Sequence, residues 1–223
     1  MQNTTQERTR RLALSAIFCA LAFLVTLLPA PRVLFLSFDV KDTVIATAGL
    51  LLGPAAALSL SVAVPLLEFI TVGATGFWGL LMDIVSTMAF SLTASLIYKY
   101  RKTLLGAVLS LSAAALLQVA AMMLANLFIT PIYMKVSQAE VVALILPLLL
   151  PFNAVKSVFN ASLVMLLYKP LSEALRRVGM LRRGSSEGYR LDGRSLAVLL
   201  LSLALVTGAA LVLFLALGAS YGG

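Results

Sequence analysis

Long apolar segments follow one another along almost the whole chain, and they constrain its fold more than any other feature. A hydrocarbon core about 30 Å thick is crossed by roughly 20 consecutive apolar residues in a helix. Apolar segments cover residues 12–28, 43–52, 54–72, 79–98, 104–128, 146–168 and 195–217. Only 12% of the 223 residues are charged, against about 25% in ordinary soluble domains. The sequence therefore predicts an all-α integral membrane protein.

The second apolar segment is too short to span a bilayer alone. Gly53-Pro54 separates it from the third, because proline lacks an amide donor and disfavours helix in the residue before it. We expect the second helix either to begin upstream within residues 35–41 or to cross only part of the membrane. The sequence predicts a six-helix transmembrane bundle plus one extra C-terminal transmembrane helix. The predicted boundaries are residues 1–178 for the bundle, 179–194 for a basic cytoplasmic linker and 195–217 for the added helix.

The distribution of lysine and arginine predicts the orientation. With the N-terminus in the cytoplasm, 13 of the 17 basic residues lie in cytoplasmic segments, as the positive-inside rule requires. The formal charge of +8 is then a topology signal, and we expect no nucleic-acid partner. The chain is predicted to be a multi-pass protein of the cell membrane, in contact with the lipid bilayer. Its outer loops would be residues 29–42, 73–79 and 130–147.

Several kinds of chemistry are excluded by composition. The chain has no histidine and one cysteine, Cys19, so Ser-His triads, disulfides and Cys/His zinc sites cannot form. It has no GxxxxGK[ST] motif, so it cannot hydrolyse ATP by that route. We predict that the protein is not an enzyme and has no metal or cofactor.

Three ionisable residues lie within apolar segments, where a charge costs about 2.5–3.5 kcal/mol. Glu68 and Asp83 lie near the predicted outer boundary and are either functional or merely interfacial carboxylates. Lys156 shares a helical face with Asn153 (i, i+3) and Asn160 (i, i+4). This face indicates a polar ligand pocket or polar contacts between helices. We expect Lys156 to lie about 15 Å from the start of its helix, on the cavity wall and unpaired, so that its removal leaves stability unchanged or raised.

Other residues near the outer end could complete a ligand site. Asn126 adds an amide and Tyr133 an aromatic ring at similar depth. Trp78 belongs either to an interfacial aromatic belt or to a surface that stacks on a planar ligand. On the first helix, Ala16 and Ala20 form a small-xxx-small pair that allows a partner helix to approach closely.

Four segments resemble the substrate-binding S components of energy-coupling factor (ECF) vitamin transporters, specifically the riboflavin-uptake type. They are FLSFDVKDTVIATAGLLLGPAAAL at 35–58, SLTASLIYKYRK at 91–102, ANLFITPIYM at 125–134 and LPLLLPFNAVKSVFNASLVMLLYKPLS at 146–172. The resemblance covers roughly residues 10–178. Two positions depart from the family pattern: Val64-Pro65 stands where members often have Lys-Asn, and Asp83 where they often have Asn.

This resemblance implies a six-helix bundle that binds one vitamin near the extracellular side. It implies as partners a membrane coupling protein and two cytoplasmic ATPases, with Ala16 and Ala20 on the docking surface. In the riboflavin branch, positions matching Asn126, Asn153 and Lys156 help to hold the isoalloxazine ring. Riboflavin or a related flavin is then the transported small-molecule vitamin. The alternatives are an S component for another vitamin and a proton-coupled secondary transporter that uses Asp83 or Glu68 as a relay.

Overall fold

The structure is a computed structural model of the chain. It describes residues 2–29, 32–33, 36–73 and 76–180, together with isolated positions between 193 and 215. Its elements are α1 (Gln2–Thr26), β1 (Arg32–Val33), β2 (Leu36–Ser37), α2 (Lys41–Leu52), α3 (Pro54–Thr71), α4 (Gly76–Tyr100), α5 (Leu104–Met134), α6 (Gln138–Leu144), a π-helical turn (Ile145–Leu149) and α7 (Leu150–Arg177). β1 and β2 pair antiparallel in a short hairpin.

Five helices of the described chain are long and apolar enough to cross a membrane. They are Gln6–Thr26, Pro54–Thr71, Gly76–Tyr100, Leu104–Met134 and Gln138–Arg177, the last of which joins α6, the π-helical turn and α7. α2 is the sixth helix and has 12 residues, which span about 18 Å at 1.5 Å per residue. The partly crossing helix predicted from the sequence is therefore found, and it begins at Lys41.

α2 lies at the centre of the bundle, where it contacts α1, α3, α4 and α7. Nine of its 12 residues are buried. At Gly49, an added Cβ would lie 2.8 Å from the Cβ of Ala57 in α3 and 3.0 Å from that of Ser95 in α4. The absence of a side chain at this position lets three helices approach closely.

The predicted break at Gly53-Pro54 is confirmed. Gly53 has φ 104°, a conformation that glycine adopts without the steric cost of a Cβ. Pro54 is the first residue of α3, where its missing amide hydrogen costs nothing. The chain therefore reverses direction between α2 and α3 within one residue.

The predicted outer loop at residues 130–147 is wrong. α5 continues through Pro131 to Met134, and the next helix begins at Gln138 behind a capping box formed by Ser137 and Glu140. Pro147 lies in the π-helical turn, which accommodates a residue that cannot donate an amide hydrogen bond. Only Lys135–Ser137 separate the two helices, and the predicted span at 146–168 is the middle of a 40-residue helix.

The two ends of the bundle are distinguished by their connections. Arg10 Nη1 donates to the carbonyl oxygen of Gly179 at 3.3 Å, which brings the start of α1 and the end of α7 together. We call this the inner end, and we call the opposite end, with the connections after α1, α3 and α5, the outer end. These names follow the orientation predicted from the basic residues.

The C-terminal predictions fall almost entirely outside the described residues. The linker at 179–194 and the extra helix at 195–217 therefore remain predictions, as does the boundary of the bundle domain at residue 178. Within the described chain, the helical fold with six helices agrees with the predicted six-helix bundle.

Candidate functional site

The polar face predicted on the last helix of the bundle is buried. Asn153, Lys156 and Asn160 are 5%, 8% and 0% exposed. The two asparagine side chains donate to carbonyl oxygens one turn earlier in the chain, Asn153 to Leu149 of the π-helical turn and Asn160 to Lys156 of α7. The Oδ1 atom of Asn160 also accepts from Thr43 of α2. Asn160 therefore joins two helices, whereas Lys156 and Asn153 lie about one and two turns closer to the outer end.

Lys156 is paired, which corrects the expectation of an unpaired ammonium group. Its Nζ lies 2.9 Å from Asp39 Oδ2 and donates to the carbonyl oxygen of Ser37 at 3.3 Å. Burial alone would raise the pKa of Asp39, but Lys156 and Lys41 together hold that pKa below its ordinary value. The Asp39 carboxylate is therefore ionised at neutral pH, and its removal or that of Lys156 leaves a buried charge behind.

A second ion-paired group surrounds Lys41, the first residue of α2. Its Nζ lies 2.6 Å from Glu68 of α3 and 3.0 Å from Asp83 of α4. Lys41 is 2% exposed, while the two carboxylate side chains are 25% and 33% exposed. The structure thus brings together the two carboxylates that the sequence singled out, through a lysine that the sequence analysis assigned to a loop. Since α4 begins at Gly76, Asp83 lies two turns inside the helix.

Asp42, next to Lys41, is held by neutral donors. Thr87 donates to Asp42 Oδ1 at 2.9 Å and Gln118 Nε2 to Oδ2 at 2.8 Å. Gln118 also donates to Ser86 and accepts from Ser157. Gln118 therefore links α2, α4, α5 and α7 below the ion pairs. Lys41 and Lys156 interact electrostatically with Asp42, so the charged residues form one group.

We call this group the outer polar cluster. It consists of Asp39, Lys41, Asp42, Glu68, Asp83 and Lys156. Its four carboxylates and two ammonium groups give a formal charge of −2. Among the described residues, no group of histidine, cysteine or acidic side chains is arranged to hold a metal ion.

An aromatic surface adjoins Lys156. The ring of Phe38 lies 6.0 Å from that of Phe152 and 5.3 Å from that of Phe159, both on α7. Leu36, the first residue of β2, packs with Phe152 in an apolar cluster that also includes Leu148 and Leu149. The segment from Leu36 to Asp39 therefore covers the outer end of α7 through both apolar contacts and the ion pair.

Three other predicted residues are not joined to this cluster by hydrogen bonds in the described chain. Asn126 is fully buried, but it donates to Met122 and accepts from Thr130 within α5. Tyr133 is 37% exposed near the end of α5. Trp78 is half-buried and packs against Phe77 at a ring distance of 5.7 Å. A ligand role for these residues remains a prediction.

Sequence reasoning missed Asp39, Lys41, Asp42 and Gln118 as site residues. The signal was present in the FDVKD segment, where Asp39 precedes α2 and Lys41 and Asp42 are the only charged residues of that helix. Because this segment lay in the predicted outer loop at 29–42, its charges were interpreted as exposed to solvent. The start of α2 was therefore not identified. Gln118 was also identifiable as the one glutamine of the fifth apolar segment.

The predicted docking pair lies on the surface of the bundle. Ala16 and Ala20 are exposed, whereas Leu14, Phe18 and Ala22 on the same helix are buried. α1 therefore presents its small-residue pair away from the core. This position is accessible to a partner helix, while the docking role itself remains a prediction.

The fold and the site together define a class: a multi-pass helical membrane protein with a buried polar and aromatic site at one end of its bundle. Because the chain has no histidine, it holds no Ser-His triad.

Comparison with known proteins identifies the family. The model of the family "ECF transporter, substrate-specific component" matches residues 10–168. The chain belongs to this family, whose members are transport proteins that work with a membrane coupling module and ATPases. No curated protein matched the sequence. A solved structure described as the S component of a bacterial ECF transporter is similar in fold, with a TM-score of 0.64 and 24% identity over 76% of this chain and 99% of that one.

Proposed function

We propose that this chain captures riboflavin, or a closely related flavin, at the outer end of the bundle and delivers it inward after docking on an ATP-driven coupling module. The observation that carries the proposal is the position of Lys156 and Asn153. Both are buried on one face of α7. Lys156 contacts Ser37 and Asp39 of the covering segment, and Phe38 of that segment packs against Phe152 and Phe159 of the same helix.

The chemistry of the site fits a flavin. An isoalloxazine ring is flat and aromatic, and the rings of Phe38, Phe152 and Phe159 offer it an apolar surface. Its uracil-like edge carries carbonyl oxygens that accept hydrogen bonds. Lys156 has three N–H donors, of which the described contacts use two, for Asp39 and Ser37. Lys156 therefore has one donor left for a ligand carbonyl without breaking its ion pair.

Ligand binding requires the covering segment to move. Lys156 is only 8% exposed, and the residues above it are Ser37, Phe38 and Asp39. Ser37 ends a hairpin with only two residues in each strand, and Phe38 and Asp39 follow it, so few backbone hydrogen bonds resist a displacement. The ligand then enters from the outer end while the helices keep their packing.

The alternative of a proton-coupled secondary transporter has less support. It needs a carboxylate that gains and loses a proton during the cycle. Glu68 and Asp83, the two candidates, both pair with Lys41. The ion pairs suit a permanent structural role better than a relay.

The docking part of the proposal predicts a separation of binding from transport. Ala16→Leu or Ala20→Leu adds bulk to the exposed face of α1 and should obstruct close helix approach. We expect flavin binding by the purified variants to be unchanged and uptake by the complete transporter to fall. Ala120→Leu is the matched control, since Ala120 is an exposed alanine on α5. Unchanged uptake in both α1 variants would refute the docking role.

Equilibrium dialysis tests the ligand. Purified protein in detergent is dialysed against riboflavin, thiamine, pyridoxine, biotin, pantothenate and folate in separate cells. We expect about one riboflavin per chain and much weaker binding of the others. Tight binding of another vitamin, with none of riboflavin, would show that the ligand assignment is wrong while leaving the family unaffected.

A further inference from the structure

The two ammonium groups of the outer polar cluster are already neutralised by protein carboxylates. Lys156 pairs with Asp39, and Lys41 lies between Glu68 and Asp83. Asp42 adds a carboxylate whose hydrogen-bond donors, Thr87 and Gln118, are uncharged. With all six groups ionised, the formal charge of the cluster is −2. Within the cluster, an anionic ligand group would meet no cation that is not already paired with a carboxylate.

Asp39 also has an unused acceptor. Its Oδ2 binds Lys156, and the backbone amide of Lys41 also interacts with the carboxylate, while its buried Oδ1 has no hydrogen-bond partner of good geometry in the described part of the chain. A buried acceptor without a donor costs free energy that a ligand donor would recover. Asp39 is placed for this because it belongs to the segment that covers Lys156.

We infer that Asp39 determines the charge class of the substrate: it selects an uncharged or cationic molecule with an O–H or N–H donor and rejects phosphate and carboxylate groups. This inference rests on the proposed location of the site. For flavins it means that riboflavin binds and its 5′-phosphate ester is excluded. Asp39 acts in two ways, by neutralising the one cation on the polar face of α7 and by accepting from the ligand.

The test compares riboflavin with riboflavin 5′-phosphate in equilibrium dialysis. For the wild-type protein we expect the phosphate ester to bind at least about tenfold more weakly, because like charges in a poorly solvated site repel. Asp39→Asn frees the Lys156 ammonium group and removes one negative charge. In that variant we expect the preference for riboflavin to shrink by about tenfold or more, whereas Asp39→Glu should retain it.

Glu140→Gln is the matched control. Glu140 is an exposed acid of α6 at the outer end, so its replacement removes the same charge from the surface, and glutamine can keep the helix cap. We expect its ratio of the two affinities to match that of the wild type. A thermal unfolding curve for each variant checks that it is folded.

The outcomes separate this inference from the ligand proposal. Equal binding of the two flavins by the wild-type protein, or equal changes for both in Asp39→Asn, would overturn the role of Asp39. If neither flavin binds, the flavin proposal fails and the vitamin panel tests the charge class instead. Binding of neutral pyridoxine or cationic thiamine would then support the inference, and binding of anionic biotin, pantothenate or folate would contradict it.

Discussion

Replacing Lys156 by methionine tests the central ion pair through stability. The variant keeps most of the apolar side chain but leaves the Asp39 carboxylate without its cation. At 2.9 Å, with an effective dielectric constant of about 20, the attraction between the charges is about 6 kcal/mol before desolvation is counted. Both side chains keep about a tenth of their surface exposed, and removing one partner of a buried pair costs about 3–5 kcal/mol. We therefore expect a loss of about 2–3 kcal/mol.

This loss should lower the midpoint of thermal unfolding in detergent by roughly 5–10 °C for a chain of this size. The single cysteine makes the measurement direct, because Cys19 is half-buried in α1 and a thiol-reactive fluorescent probe reports its exposure. The double variant Lys156→Met with Asp39→Asn removes both charges and should regain most of the loss. The coupling free energy between the two substitutions then measures the pair itself.

Lys169→Met provides the control for the loss of a lysine. Lys169 pairs with Glu173 one turn away at the inner end, and the two side chains are 26% and 48% exposed. Such exposed pairs contribute about 0–1 kcal/mol, so this variant should unfold within a few degrees of the wild type. The reasoning is refuted if Lys156→Met unfolds at the same temperature as Lys169→Met, or if the double variant is no more stable than Lys156→Met alone.

Two further predictions concern the helices that hold the site. Gly49→Ala should destabilise the bundle by about 1–3 kcal/mol, because the added Cβ would lie 2.8 Å from Ala57; an unchanged unfolding temperature would show that α2 can shift. Gln118→Leu should cost about 1–3 kcal/mol, since it leaves Asp42 with only one of its two side-chain donors. Adding Asp42→Asn should recover part of that loss in the same unfolding assay. If it recovers none, the loss does not come from the hydrogen bond between Gln118 and Asp42.

The bundle was largely predictable because its helices are long and apolar. Hydropathy identified every membrane-spanning helix of the described chain, and Gly53-Pro54 correctly marked the reversal after α2. Pro131 and Pro147 led to the wrong prediction of a loop at residues 130–147, because proline usually ends helices in soluble proteins. Here α5 and the π-helical turn accommodate them. The start of α2 was not predicted either, because its first two residues, Lys41 and Asp42, are charged and yet buried in the bundle.

The site was only partly predictable because sequence spacing relates residues within one helix. The face of α7 with Asn153, Lys156 and Asn160 follows from spacings of three and four. The pairs between Lys156 and Asp39 and between Lys41 and Glu68 join residues 117 and 27 positions apart. Such contacts depend on how the helices are arranged, which periodicity does not determine.

The measurement that tests the central claim most directly is flavin accumulation in proteoliposomes. Three preparations are compared. The first holds the chain alone, and the second holds the chain alone with an imposed proton gradient. The third holds the chain with an ECF coupling module, and ATP is supplied on the side of the membrane where the ATPases of the module lie. As a substrate-capturing subunit, the chain should bind riboflavin in every case but accumulate it only with the module and ATP. Accumulation driven by the proton gradient in vesicles that contain this chain alone would contradict the account.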